Sequence, residues 1–250
     1  MEKKYIKFFD GYRAAYGVAN VKNAKRDPES GKLKLEKGDY RWNYQELTDQ
    51  VYLDHLAGTQ SIGVQACNEN AEARFGVIDV DPKNYADFNK KFIIDKIQEY
   101  KLPLIPVLSK SGGLHLYLFI NEFILSTVVV SFLSNLLSLF NLKPDCEIFP
   151  KQTQLTKDPE TGIIKPGQFI NLPYFKKSER VGINLDGIPF TFEQFIQVVE
   201  SNTVSAKNLK DITESIENKD LEGVDEEFDD GPPCLAHLSK IMKNPGFDGK

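Results

Sequence analysis

Arg74-Phe75-Gly76-Val77-Ile78-Asp79-Val80-Asp81 reads as a strand that leaves the core carrying two carboxylates. Val77, Ile78 and Val80 anchor it as a pleated apolar segment that stops at Asp81-Pro82. Side chains two apart on a strand share a face, so Asp79 and Asp81 project together. Two adjacent carboxylates repel each other, and burying them without a cation is costly. A divalent ion turns that cost into binding, because Mg²⁺ takes one or two carboxylates together with phosphate oxygens. The same Asp-x-Asp spacing also occurs at solvated sheet edges, in glycosyltransferases and in hydrolases, so the flanking segments decide its meaning.

Downstream, Asn84 is placed to cap a helix whose apolar positions Phe88, Phe92, Ile93, Ile97 and Tyr100 suit one face. Residues 104–108 and 114–120 read as two strands joined by Ser109-Lys110-Ser111-Gly112-Gly113, which is a hairpin. A helix over 124–140 follows, then a short strand at 146–149, a Pro/Gly/Thr-rich loop at 150–167 and another short strand at 168–172. Upstream, 40–58 reads as helical from Tyr44, Leu47, Val51, Leu53 and Leu56, and 62–67 as a short strand. Residues 190–201 and 206–216 are predicted helices. Strand, helix, hairpin, helix, strand is the order of an α+β fold, an antiparallel or mixed sheet with helices on one side.

The hairpin and the later strands supply the remaining polar candidates. Ser109, Ser111, Gly112 and Gly113 offer the small side chains and N–H groups that a phosphate cradle requires. His115 enters the outgoing strand on the face of Tyr117 and Phe119, while Leu114, Leu116, Leu118 and Ile120 point the other way. Glu147, between Cys146 and Ile148, is an acid inside a strand and asks for a cation; Asp145, on the same face, is the alternative ligand. Lys151 and Gln152 follow at the exit of that strand, where a cation and an amide can reach a triphosphate. Asn171 shares a face with Phe169 and can touch a nucleotide or bond backbone near Pro173. Singly, each has an ordinary structural reading; together they form one pattern.

Charge divides unevenly along the 250 residues, whose net charge is −5. Residues 1–210 hold 27 Lys/Arg against 25 Asp/Glu, and 211–230 hold ten acids against Lys219 alone. The body is nearly neutral, which neither supports nor excludes nucleic acid, because phosphate binding needs local potential rather than a basic average. Cys67, Cys146 and Cys234 show no paired spacing and read as cytosolic thiols. The opening residues have no apolar signal-peptide core. The apolar run at 124–140 contains four Ser and an Asn, so a buried helix is expected there and not a membrane span. A cytoplasmic protein without membrane association is the expectation.

Three motifs stand in order: Ile-Asp79-Val-Asp81, Ser109-Lys-Ser-Gly-Gly-Leu-His115, and Glu147-Ile-Phe-Pro-Lys-Gln152. This set resembles the archaeo-eukaryotic primase superfamily. Residues 55–64, 74–81, 147–152 and 168–175 are similar to the primase-polymerases of prokaryotic conflict systems, including CRISPR-associated ones, and the resemblance spans about residues 5–200. It implies a catalytic sheet resembling an RNA-recognition motif (about 71–205) packed with a smaller N-terminal α/β module (about 1–70). A catalytic domain at 1–216, an acidic linker at 217–230 and, from Gly231-Pro-Pro-Cys234-Leu, the start of a truncated C-terminal primase domain at 231–250 follow from it. By the same resemblance Asp79, Asp81 and Glu147 hold two catalytic Mg²⁺ or Mn²⁺ ions, although the family's third acid is more often Asp. Ser109, Ser111, Gly113, His115, Lys151, Gln152 and Asn171 would contact the incoming nucleoside triphosphate. DNA template and primer are the implied partners, with CRISPR adaptation proteins as a further one. Two rival readings are a non-catalytic module that stacks bases on Tyr117 and Phe119 and a metal-dependent nuclease. A triphosphate cradle makes little sense in the nuclease.

Overall fold

Helix α1 (Glu2–Phe8) is followed by strand β1 (Tyr16–Ala19), the paired strands β2 (Lys25–Arg26) and β3 (Leu33–Lys34), strand β4 (Tyr40–Asn43) and helix α2 (Asp49–Ala57). Then come β5 (Ile62–Val64), β6 (Glu72–Val80), α3 (Lys90–Glu99), β7 (Leu104–Leu108), β8 (Leu114–Leu125) and α4 (Ser126–Asn135). Strand β9 (Glu147–Phe149), the paired β10 (Thr156–Lys157) and β11 (Ile164–Lys165), β12 (Ile170–Asn171) and α5 (Phe192–Asn202) complete the unit. This computed structural model describes residues 1–19, 25–26, 33–34, 40–85, 87–110, 112–176 and 178–216. Met1–Ala206 forms one compact unit, and of the second, Lys207–Lys250, residues 207–216 are described and are helical. The expected linker at 217–230, the fragment at 231–250 and Ser111 lie outside the described residues.

The α+β architecture is the expected one. Four antiparallel strands in the order β7-β8-β6-β9 form one sheet, with β6 flanked on both sides. One face carries Gly76, Ile78 and Val80. Helix α4 presses on it so closely that a Cβ at Gly76 would stand 2.6 Å from Val129 Cγ1. The other face carries Phe75, Val77, Tyr117, Phe119, Ile105 and Phe149, all buried.

A second sheet, β12-β5-β1-β4, is also antiparallel and contributes Tyr16, Val18, Ile62, Val64 and Ile170 to the same core. One of its two edge strands, β12, comes from late in the chain. Aromatic rings fill the middle. Tyr117 and Phe119 stack at 5.7 Å and 9°, and Phe9 meets Phe75, Tyr117 and Phe119 edge-on at 5.3–5.6 Å. Such pairs are worth about 0.5–1.5 kcal/mol each beyond their buried area. Tyr117 and Phe119 are 0% and 1% exposed, so they cannot serve as the base-stacking surface that the non-catalytic reading required.

Three local expectations are corrected. Residues 40–58 are not one helix: β4 occupies the start because Tyr40, Trp42 and Tyr44 alternate with polar residues at the strand period, and α2 begins only after Thr48. Asn84 does not cap α3, because Pro82–Asn84 turns as a 3₁₀ segment, and Asn89 Oδ1 accepts the Phe92 N–H at 3.1 Å instead. The loop at 150–167 contains the β10–β11 hairpin. Among the described residues no helix is long and apolar enough to cross a membrane.

Candidate active site

Asp79 lies near the end of β6, and pairing on both sides of that strand sets a candidate side chain on either hand. His115 of β8 is its partner on one side and Glu147 of β9 on the other. Cβ atoms of directly opposed residues are about 4.5–5.5 Å apart, so the three form one row on one face. Asp81 follows with an extended backbone (φ −88°, ψ 118°), which keeps it on the face of Asp79. Asp145, the alternative to Glu147, lies in the exposed turn before β9 and outside the ladder.

Each carboxylate faces a nitrogen-bearing side chain. His115 Nε2 is 3.3 Å from Asp79 Oδ1, Lys83 Nζ is 2.5 Å from Asp81 Oδ2, and Lys151 Nζ is 2.5 Å from Glu147 Oε1. Burial raises the pKa of Asp79. The hydrogen bond from His115 and the charges of His115, Arg180 and Lys151 outweigh that effect and hold the carboxyl below its ordinary value. Among the described residues no three His, Cys, Asp or Glu side chains converge at metal-ligand distance as they stand. The donor set nevertheless fits divalent cations: three carboxylates occupy adjacent positions, and lysines neutralise two of them where an ion would do so.

The turn at 109–113 borders this row. Ser109 Oγ accepts the Gly113 N–H at 3.0 Å, Ser109 N–H donates to Gly113 O at 3.0 Å, and Gly112 N–H donates to Ser109 O at 3.2 Å. The two glycine N–H groups expected to cradle phosphate are therefore engaged inside the turn. Gly113 serves close packing instead. A Cβ there would stand 2.0 Å from Val80 O, so its absence lets the turn rest on the end of β6.

Gln152 also has a structural role, since its Oε1 accepts the Gln168 N–H at 2.8 Å and the Gln65 Nε2 at 3.2 Å. It ties the exit of β9 to the second sheet, leaving Lys151 beside the acids. Asn171 lies on β12 of the second sheet, and its carbonyl is 3.5 Å from the Tyr117 hydroxyl in the core.

Arg180 was not singled out from the sequence. Val181 O accepts the Leu108 N–H at 2.9 Å, Ile183 N–H donates to Pro106 O at 2.9 Å, and Gly182 bridges Val107. Segment 181–183 thus extends the β7-β8-β6-β9 sheet beyond β7, and antiparallel register sets Arg180 opposite Ser109. Its charge acts on both Asp79 and Tyr117. The one available signal was compositional, since Arg180 is the only arginine after Arg74.

Three buried polar atoms belonging to these residues have no hydrogen-bond partner: His115 Nδ1, Asn171 Oδ1 and Arg180 Nε. Leaving such a group unpaired costs about 1–3 kcal/mol, and native structures contain few of them. His115 Nδ1 belongs to the row of acids itself and the Arg180 charge acts on Asp79, as at a site built for a polar, anionic ligand.

The sequence profile described as "TOTE conflict system, Archaeo-Eukaryotic Primase domain" matches residues 8–184, which include the acids, the hairpin, His115 and Arg180. No curated protein matches the chain. The matched family is that of a TOTE conflict system and names no CRISPR component. With a match over most of its length, the chain belongs to the archaeo-eukaryotic primase domain family of TOTE conflict systems, and so to the nucleotidyltransferase-type enzymes that bind nucleotides and nucleic acid.

Proposed function

We propose that the chain is a DNA-templated primase-polymerase, which makes primers and extends DNA from nucleoside triphosphates. The observation that carries this reading is the single row His115–Asp79–Glu147, with Asp81 two residues on and the 109–113 turn alongside. Enzymes of this family generally use divalent metals. Asp79, Asp81 and Glu147 are the residues to hold two of them, Mg²⁺ or Mn²⁺, whose chemistry is to activate the attacking hydroxyl and to offset charge on the phosphates.

The chain's own groups position the triphosphate. His115, hydrogen-bonded to Asp79, keeps its Nδ1 available for a water or a donor group of the ligand. Arg180 on one flank and Lys151 on the other supply positive charge where charge develops in phosphoryl transfer. Ser109 shapes the turn between them. Lys83 and Lys151, now on carboxylates, are the cations freed to meet phosphate when metal takes their place.

Primer extension with Mn²⁺ or Mg²⁺, a labelled primer on template DNA and nucleoside triphosphates tests the proposal. Lengthening products are expected, and Asp79→Asn or Asp81→Asn should lower incorporation by on the order of 10³ with an unchanged circular-dichroism spectrum. Shortened template without extension would identify a nuclease, and unimpaired extension by the double variant would remove these residues from the chemistry.

A further inference from the structure

The rings buried between the sheets leave the base-stacking role vacant, while the outward face of the second sheet carries aromatics with no part in the core. Tyr16, Val18, Ile62, Val64 and Ile170 point into the core, so the alternate residues face outward. The outward row crosses all four strands as Trp42, Gly17, Gly63 and Asn171, each opposite the next. The Phe169 ring lies over the two glycines: a Cβ on Gly17 or Gly63 would stand 2.4 Å or 2.2 Å from it. Trp42 meets that ring edge-on at 5.0 Å and 85°. Tyr40 shares the face of Trp42 at the strand period, and Tyr44, just past the end of β4, is 62% exposed.

We infer that this shelf stacks the bases of single-stranded nucleic acid entering the active site. The inference deepens the proposed function and rests on it for the direction of the strand. The composition of the row favours bases over an apolar protein partner. The Phe169 ring covers the two glycines, and the row has aromatic neighbours and no branched aliphatic side chain. Every base offers a π-face to such a surface without regard to sequence.

The shelf also adjoins the catalytic acids through a short chain of contacts. Trp42 Nε1 donates to Gly167 O at 2.9 Å, Gln152 packs against Gly167 and holds Gln168 N–H, and Lys151 next to it pairs with Glu147.

Trp42 is the only tryptophan in the chain, so its emission reports on the shelf directly. Titration with single-stranded DNA and RNA oligonucleotides, in EDTA and without nucleotide, should quench it saturably with one or both. Blunt duplex should leave it nearly unchanged. Asp79→Asn should keep the quench, and Tyr44→Ala should weaken binding about tenfold at an unchanged circular-dichroism spectrum. Emission indifferent to both single strands, in a protein that extends primers, overturns the shelf and leaves the proposed function standing. Equal quenching by blunt duplex also overturns it, because the contact would then be to backbone. A quench that Tyr44→Ala weakens, in a protein that incorporates nothing, supports the shelf and removes the polymerase.

Discussion

Arg180 and His55 show how much of the behaviour of this chain rests on single side chains. Arg180 has a buried Nε without partner and a charge that acts on Asp79. A charge-assisted hydrogen bond to an ionised group contributes about 1.5–3 kcal/mol. Arg180→Ala should therefore raise the KM for nucleotide by about 10- to 100-fold, with a smaller change in kcat, in steady-state incorporation assays. A fall in kcat alone would place Arg180 with the reacting atoms.

His55 is fully buried, with Nδ1 accepting the Ile62 N–H at 3.2 Å and Nε2 facing Pro173 O at 2.9 Å. It is therefore neutral, and burial depresses its pKa to about 4 from the ordinary 6.5. Between those two values the unfolded chain binds a proton that the folded chain refuses, so stability falls as pH drops, by about 3 kcal/mol at pH 4. Asp79, an acid with a lowered pKa, holds its contribution above the ordinary carboxylate range and loses it below. Urea unfolding at pH 7 and pH 4.5 should show the decline, and His55→Gln should flatten it.

At the scale of elements, the 109–113 turn is where glycine is irreplaceable. A Cβ at Gly113 would meet the backbone oxygen of Val80, which no side-chain rotation can relieve, and Pro82 Cδ at 2.7 Å. Gly113→Ala is expected to cost about 2–3 kcal/mol and to lower Tm by roughly 5–10 °C. An unchanged thermal melt would mean that the turn can lift off β6. This hairpin was legible in the sequence, as was β6, because apolar β-branched runs and Gly-Gly turns declare themselves locally. Residues 40–44 were not, because the apolar spacing of α2 could be extended backwards over an aromatic alternation.

The row His115–Asp79–Glu147 was only half legible. Motif order named its members, but which residues stand opposite one another is fixed by strand pairing across 30 to 70 positions of chain. Arg180 was silent for the same reason: it gains its meaning from segment 181–183 adding to the edge of β7.

Across the whole molecule, one sheet face does two things. Its middle buries Phe75, Val77, Tyr117 and Phe119 against the second sheet, and its end carries the acids. The packed aromatic middle fixes the backbone from which Asp79, His115 and Glu147 project, so the acids cannot spread apart to lower their repulsion. Their charge has to be met by cations. Lys83 now meets Asp81, but its side chain is 76% exposed, and an exposed pair contributes only about 0–1 kcal/mol. Such a lysine gives way readily to a divalent ion held by several carboxylates. A ligand that binds only the folded state stabilises it by about 2.7 kcal/mol at 100 times its Kd. Mn²⁺ or Mg²⁺ should therefore raise Tm in the absence of nucleotide and DNA. NaCl at matched ionic strength should not reproduce the rise, since screening alone does not fill the site. Asp79→Asn should abolish the metal-dependent increment, and Lys83→Met, which removes the competitor for Asp81, should shift it to lower metal concentration. A wild-type Tm indifferent to both ions would mean that the fold tolerates its clustered acids with lysine and histidine alone, and the metal assignment would fail without any reference to catalysis.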